Sequence, residues 1–349
     1  MPNALRALAA ALLVTTLVAP ASALADDDAR VCPRPRRGCA FTSVQAAIDA
    51  AHSGETIVIA PGTYHENVHI GATNATPLTL LAQGSGRDEY DRDDEGRDSD
   101  RATISGDQRG SVLTIAASHT VRLIGLRFTN GAAPSGGGID NEGGTLSVIN
   151  GLLDRNRATG TGKTGKGFAG GLFNNNGTLT MRSTRITANT AARGAGLVTG
   201  SPTGTGSATL QRTRIEHNVA SAAGGGIVNC GMLEVTSSQI RDNRAGQGAG
   251  LSNCGPIASG AFGTVRLVES RVSHNRAVGG TSPEGDPLQG HGGGISNAGV
   301  LTLIATSVTD NTALPDLGGG IFNQGGTVSL TRSPLRRNTP PQCVPTPDC

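Results

Sequence analysis

His217, Asp242 and His274 recur at one point of a repeated phrase. Down the chain that point is held by Arg155, Ala188, His217, Asp242, His274, Asp310 and Arg337. Imidazole beside carboxylate suits general-base work or a metal ion, and Glu216 adjoins the first histidine. Stacked at ~4.8 Å, alternating charges would also simply avoid like-charge contact, so the row has a structural reading too. A second set lies in the acidic stretch 84–101. Asp91, Asp93, Glu95 and Gly96 imitate the start of a calcium loop, but Ala102 stands where the closing bidentate Glu belongs. Four Arg residues are interspersed, so a solvated mixed-charge loop is the competing reading.

Six cysteines fall into three local pairs: Cys32 with Cys39, Cys230 with Cys254, and Cys343 with Cys349. In an exported chain these read as disulfides. Cys230 and Cys254 each follow the same Asn of the repeat, and neighbouring strands lie at a separation a disulfide can bridge. The sequence leaves the connectivity open. A thiolate metal site is the alternative, although no His cluster accompanies the thiols.

The repeat must position all of these groups. The phrase reads Gly136-Gly-Gly-Ile139-Asp-Asn141 and returns ending at Asn174, Thr199, Asn229, Asn253, Asn297 and Asn323. Its Ile or Leu recurs after 33, 25, 30, 24, 44 and 26 residues. Each copy is followed by a β-type run and then by an aliphatic residue, two further residues and an Asn, from Leu153–Asn156 to Leu335–Asn338. A period of this size, with short β segments between Gly and Asn turns, is one rung of a parallel β-solenoid. Both Asn positions point inward and should form ladders, with Thr199 interrupting the first. About ten or eleven rungs at ~4.8 Å give a rod roughly 50 Å long.

The Gly-Gly-x-Ile phrase followed by aliphatic-x-x-Asn resembles the repeat of bacterial polymorphic outer-membrane proteins and related secreted right-handed parallel β-helix proteins, over roughly residues 122–340. In the former the second element usually starts with Phe, whereas here Ile, Val or Leu stands there. The resemblance implies an all-β, right-handed parallel β-helix and no particular activity. The passage Glu55–Ile70 is similar to the opening rungs of pectin-lyase-like β-helices, pectin methylesterases among them. It implies a lyase, hydrolase or epimerase, yet the paired catalytic Asp motifs of the methylesterases are missing. Arg332 to Arg337 matches the Arg-x-Pro-x-x-Arg of pectate lyases without their calcium-binding acidic cluster. Gly290-His291-Gly292 resembles the polygalacturonase Gly-His-Gly, but no Asn-Thr-Asp exists and Asp93-Asp94 lies many rungs away.

Residues 1–25 read as a secretory signal: Arg6, an apolar run Ala7–Val18, and Ala23-Leu-Ala25 before the cut. Residues 26–55 read as a charged leader and a capping helix over Thr42–Ala51, with Thr42 as N-cap and Gln45 as its capping-box partner. Residues 56–340 are the solenoid, irregular over 56–130 and regular over 131–340, and 341–349 form a Pro/Cys tail. The insertions Thr159–Phe168 and Val278–His291 leave the same corner of their rungs and could wall one groove. Phe173 and Phe322 face outward as isolated contacts. Net charge of +2 gives no sign of nucleic-acid binding. No second hydrophobic span follows the signal, so the mature chain should cross no membrane.

These features predict a secreted, non-catalytic protein presenting a long face to an extracellular polysaccharide or protein. It should need no cofactor, calcium at the acidic loop excepted. The alternative is a carbohydrate-active enzyme acting on an acidic polysaccharide.

Overall fold

The computed structural model describes residues 29–85, 101–161, 166–201, 204–256, 260–339 and 341–345. One regular rung shows how the chain winds. Thr145–Ile149 lies in an eleven-stranded sheet, here sheet 1. Leu152–Asp154 follows in a ten-stranded sheet 2, Arg157–Ala158 in a six-stranded sheet 3, and Leu172–Asn175 in a ten-stranded sheet 4. The next strand, Thr178–Arg182, pairs parallel with Thr145–Ile149, residue for residue. Repetition of this circuit makes an all-β parallel β-helix, as the spacing predicts.

Inward positions alternate with outward ones along each strand, so the core is a set of aliphatic columns. In sheet 2 the column Phe128, Leu153, Ile186, Ile215, Ile240, Val272 and Val308 is fully buried or nearly so. Sheet 3 faces the Gly phrase across a much narrower gap. Its inward residues are Ala158, Ala191, Ala220, Ala245 and Ala277, packed with Ala195 and Ala249 of the phrase itself. The middle Gly of the phrase accordingly has no room for a side chain: a Cβ on Gly225 would lie 2.6 Å from the Arg244 carbonyl oxygen.

Corners are where buried polar groups must find partners. Between sheets 2 and 3 the seven closing Asn residues form one continuous ladder. Asn189 donates from N and Nδ2 to Asn218 Oδ1, both at 3.0 Å, and from Nδ2 to Leu153 O. The same pattern continues through Asn243, Asn275, Asn311 and Asn338, where Gln342 Oε1 accepts the last bonds. The row in front of it, including His217, Asp242 and His274, has φ of +54° to +59°. That left-handed turn costs a non-glycine residue about 1–3 kcal/mol, and the ladder bonds offset it.

The first-phrase Asn residues also stack, Asn141 on Asn174 and Asn229 through Asn253 and Asn297 to Asn323. Thr199 breaks this ladder as expected, and its buried Oγ1 has no hydrogen-bond partner. The corner between sheets 1 and 2 holds a further ladder not anticipated above. Thr213 N donates to Ser238 Oγ, Ser238 N to Ser270 Oγ, Ser270 N to Thr306 Oγ1, and Thr306 N to Ser333 Oγ.

Three local expectations are corrected. Ala29–Val31, read as part of a leader, is a strand paired with Ile57–Ile59. The helix runs Val44–Ala50 with Ser43, not Thr42, as N-cap. Gln45 bonds Asp49 and the His69 backbone rather than closing a capping box. The carboxylate of Glu66 takes over, accepting from Ser43 Oγ, Val44 N and Gln45 N at 2.9 Å each. It competes successfully because it is charged and already fixed on the adjoining rung. Lastly, the tail adds a strand, since Cys343–Val344 pairs with Ile321–Phe322. The segment 1–25 lies outside the described residues.

Replacing Asn218 by Ala should cost about 2–4 kcal/mol, because Asn189 N and Ile186 O lose their partner inside the wall. Denaturant unfolding of the variant measures this, and a loss under about 1 kcal/mol would show that the ladder is incidental.

Candidate functional site

Outward residues of sheet 3 form the floor of an open groove of 680 Å³. Arg157, Thr190, Val219 and Arg244 follow one another in register on its floor, and Arg276 continues the row on the next rung. Thr159, Gly160 and Thr161 line it on the rung of Arg157, and Val278 to Thr281 with Pro283 on the rung of Arg276. The two insertions do therefore wall one groove. Strands Gly280–Thr281 and Pro287–Leu288 pair antiparallel, which stiffens the longer wall. Leu288 packs against the floor at Gly246, where a Cβ would meet it at 2.4 Å.

Charge is distributed unevenly over the outer faces. On sheet 2 and its turn several guanidinium groups have acids. Arg127 grips Asp154 at 2.8 and 2.7 Å, Arg155 meets the same carboxylate at 2.9 Å, and the fully buried Glu216 is flanked by Arg185 and Arg241. On sheet 3, Arg157, Arg244 and Arg276 are exposed, and none has an acidic partner among the described residues. Arg244 and Arg276 are direct register neighbours. Like charges so placed are destabilising unless an anion comes between them.

The structure keeps His217, Asp242 and His274 in one turn column, one rung apart. They lie at the corner beside the groove and not among its lining residues. Asp242 is engaged by Arg241 at 2.9 Å rather than by an imidazole. Asp91, Asp93 and Glu95 lie outside the described residues. Among the described residues no three His, Cys, Asp or Glu side chains converge as metal ligands. Cys32–Cys39 and Cys230–Cys254 are disulfides, the latter joining successive rungs with Cα atoms 4.9 Å apart. Cys349 of the third expected pair lies outside the described residues.

Phe173 is not an isolated surface contact: Phe168, at the end of the first wall, stacks on it at 5.8 Å and buries it. Phe322 carries the ring of His291 at 4.4 Å. His291 is buried, its Nδ1 has no partner, and burial lowers its pKa.

One carboxyl pair was not anticipated. Asp140 and Glu142 sit two apart on a sheet 4 strand, so both side chains leave the same face. Gly136 folds back over Asp140, where a Cβ would meet the Asp140 Cβ at 2.7 Å. Burial, and then the Glu142 carboxylate, push the Asp140 pKa up to about 8. The signal in the sequence was the i, i+2 spacing within the phrase. What the sequence hid was the burial of an outward position.

No family model matches the chain, and no curated protein matches it. Solved structures align with it at low identity. A pectin methylesterase from Aspergillus niger gives a TM-score of 0.46 at 12% identity, over 89% of this chain and 86% of that one. Pectate lyase Pel9A gives 0.45 at 13%, over 88% and 78%. An alginate lyase from Paenibacillus sp. str. FPU-7 gives 0.39 at 16%, over 85% and 94%.

The folded protein holds a proton on Asp140 that the unfolded chain gives up near pH 3.8. This group therefore lowers stability progressively as pH rises from 3.8 toward about 8. Asp140→Asn should flatten that dependence and raise stability at pH 8, by on the order of a few kcal/mol. Unfolding midpoints of both proteins from pH 4 to 9 test it, and parallel curves would contradict it.

Proposed function

We propose that this is a secreted β-helix protein that binds an anionic polysaccharide lengthwise in the sheet 3 groove and does not turn it over. The reading rests on one observation above the others: Arg157, Arg244 and Arg276 stand on or beside the groove floor without acids, two of them adjacent. Carboxylate or sulfate groups on a chain lying along the row would relieve that repulsion with charge-assisted bonds.

Further features agree with it. Residues 102–339 carry 20 Lys and Arg against 12 Asp and Glu, so the solenoid is basic although the whole chain is nearly neutral. Thr159, Thr161, Thr190, Ser221 and Thr281 supply hydroxyls suited to sugar contacts. Among the described residues the lining is made of guanidinium, hydroxyl, aliphatic and glycine groups. The disulfides fit an oxidising compartment. No helix among the described residues is long and apolar enough to cross a membrane.

Calorimetric titration with polygalacturonate and with a neutral polysaccharide tests the reading, followed by sizing of the recovered polymer. The acidic polymer should bind, more weakly as salt rises, and keep its length. Arg157→Ala and Arg244→Ala should each weaken binding about tenfold. Shortened polymer would instead identify an enzyme. Equal affinity for the neutral polymer would remove the guanidinium row from the account.

A further inference from the structure

We propose that Arg193 is a further anion site of the groove, occupied by Glu284 when no ligand is bound. The inference rests on the groove reading above. Arg193 ends a sheet 3 strand, Thr190–Arg193, one rung beyond Arg157 and before the rung of Arg244. It stands three residues along the strand from Thr190, the register partner of Arg157, in the neighbouring column with Phe168 and Ala223.

Its guanidinium is closed by two hydrogen bonds of 2.8 Å to the carboxylate of Glu284, 91 residues away. Glu284 comes from the longer wall, which folds back across the stack to reach it. The Arg193 side chain remains 30% exposed, while that of Glu284 is 8% exposed. Ala192 and Pro283, the chain neighbours of the two residues, both line the groove. The pair thus lies immediately behind the lining.

The two halves are held very differently. Arg193 is fixed through its backbone: its N donates to Gly167 O and its O accepts from Ala169 N, both at 3.0 Å. Glu284 rides on a loop whose ends are Gly279 and Gly290, both at positive φ, and whose tip turns on Ser282 Oγ. A carboxylate or sulfate on a polymer already held at Arg157 and Arg244 offers the same fork the same kind of partner. Exchange of one anion for the other nearly conserves pair energy, and a polymer already held at Arg157 and Arg244 meets Arg193 as an intramolecular competitor of Glu284. Glu284 then leaves, and the wall it fastens is released.

The test uses the full protein and its Glu284→Gln variant, with polygalacturonate and chondroitin sulfate as probes. Affinity is read by titration, and amide hydrogen exchange is followed over residues 280–288. The variant, with its internal competitor removed, should bind about tenfold more tightly. In the unmodified protein, amides of 281–286 should exchange faster once polymer is bound. Comparison of the two polymers tells whether carboxylate or sulfate is preferred. Unchanged or weaker binding by the variant, with the loop equally or better protected, would overturn the proposal and leave the groove reading standing. Failure of both polymers to bind the unmodified protein would overturn the groove reading, and the Arg193 site with it. Should the variant not fold, exchange in the unmodified protein decides alone.

Discussion

A side chain that recurs at the same point of every rung meets its own copy ~4.8 Å away, and this decides which residue types a parallel solenoid accepts. Aliphatic residues satisfy the condition by packing. Buried polar residues satisfy it only if they both donate and accept. Asn meets it at the corner from Asn156 to Asn338, where each amide oxygen takes two bonds from the rung before. Ser and Thr meet it at the corner from Thr213 to Ser333. Charged residues fail it, so acids and bases alternate where they are covered, as around Glu216 between Arg185 and Arg241. Against this background Arg244 and Arg276 are exposed register neighbours of like charge with no acidic partner among the described residues.

Much of this architecture was legible in the sequence because the constraint writes itself into periodic spacing. The Gly phrase, both Asn ladders, the break at Thr199 and the shared corner of the two wall insertions can all be read from it. The Ser/Thr ladder could not, because hydroxyl residues are equally common on solvated strands and their inward turn is a property of the corner. The helix cap was misplaced by one residue because its true partner, Glu66, is distant in sequence and adjacent only across a rung. The Asp140–Glu142 pair escaped for a related reason. An outward position is ordinarily wet, and here Gly136 lies close over Asp140 and leaves it partly buried.

The repeat also explains where a site can arise. Residues bound into ladders are committed to holding rungs together, which is why the His217, Asp242 and His274 column is first of all a row of left-handed turns. The insertions carry no such duty. Two of them leave one corner on rungs four apart, and the groove between them has a floor that spans the rungs from Arg157 to Arg244. A long ligand can therefore meet several rungs at once, with register fixed by the sheet beneath.

The most direct test of the central claim is a crystal structure with an acidic oligosaccharide, such as an oligogalacturonide. The account predicts density running along sheet 3 between Thr159–Thr161 and Val278–Pro283, with acid groups at Arg157 and Arg244. Ordered sugar on sheet 1 or sheet 2, with this groove empty, would contradict it.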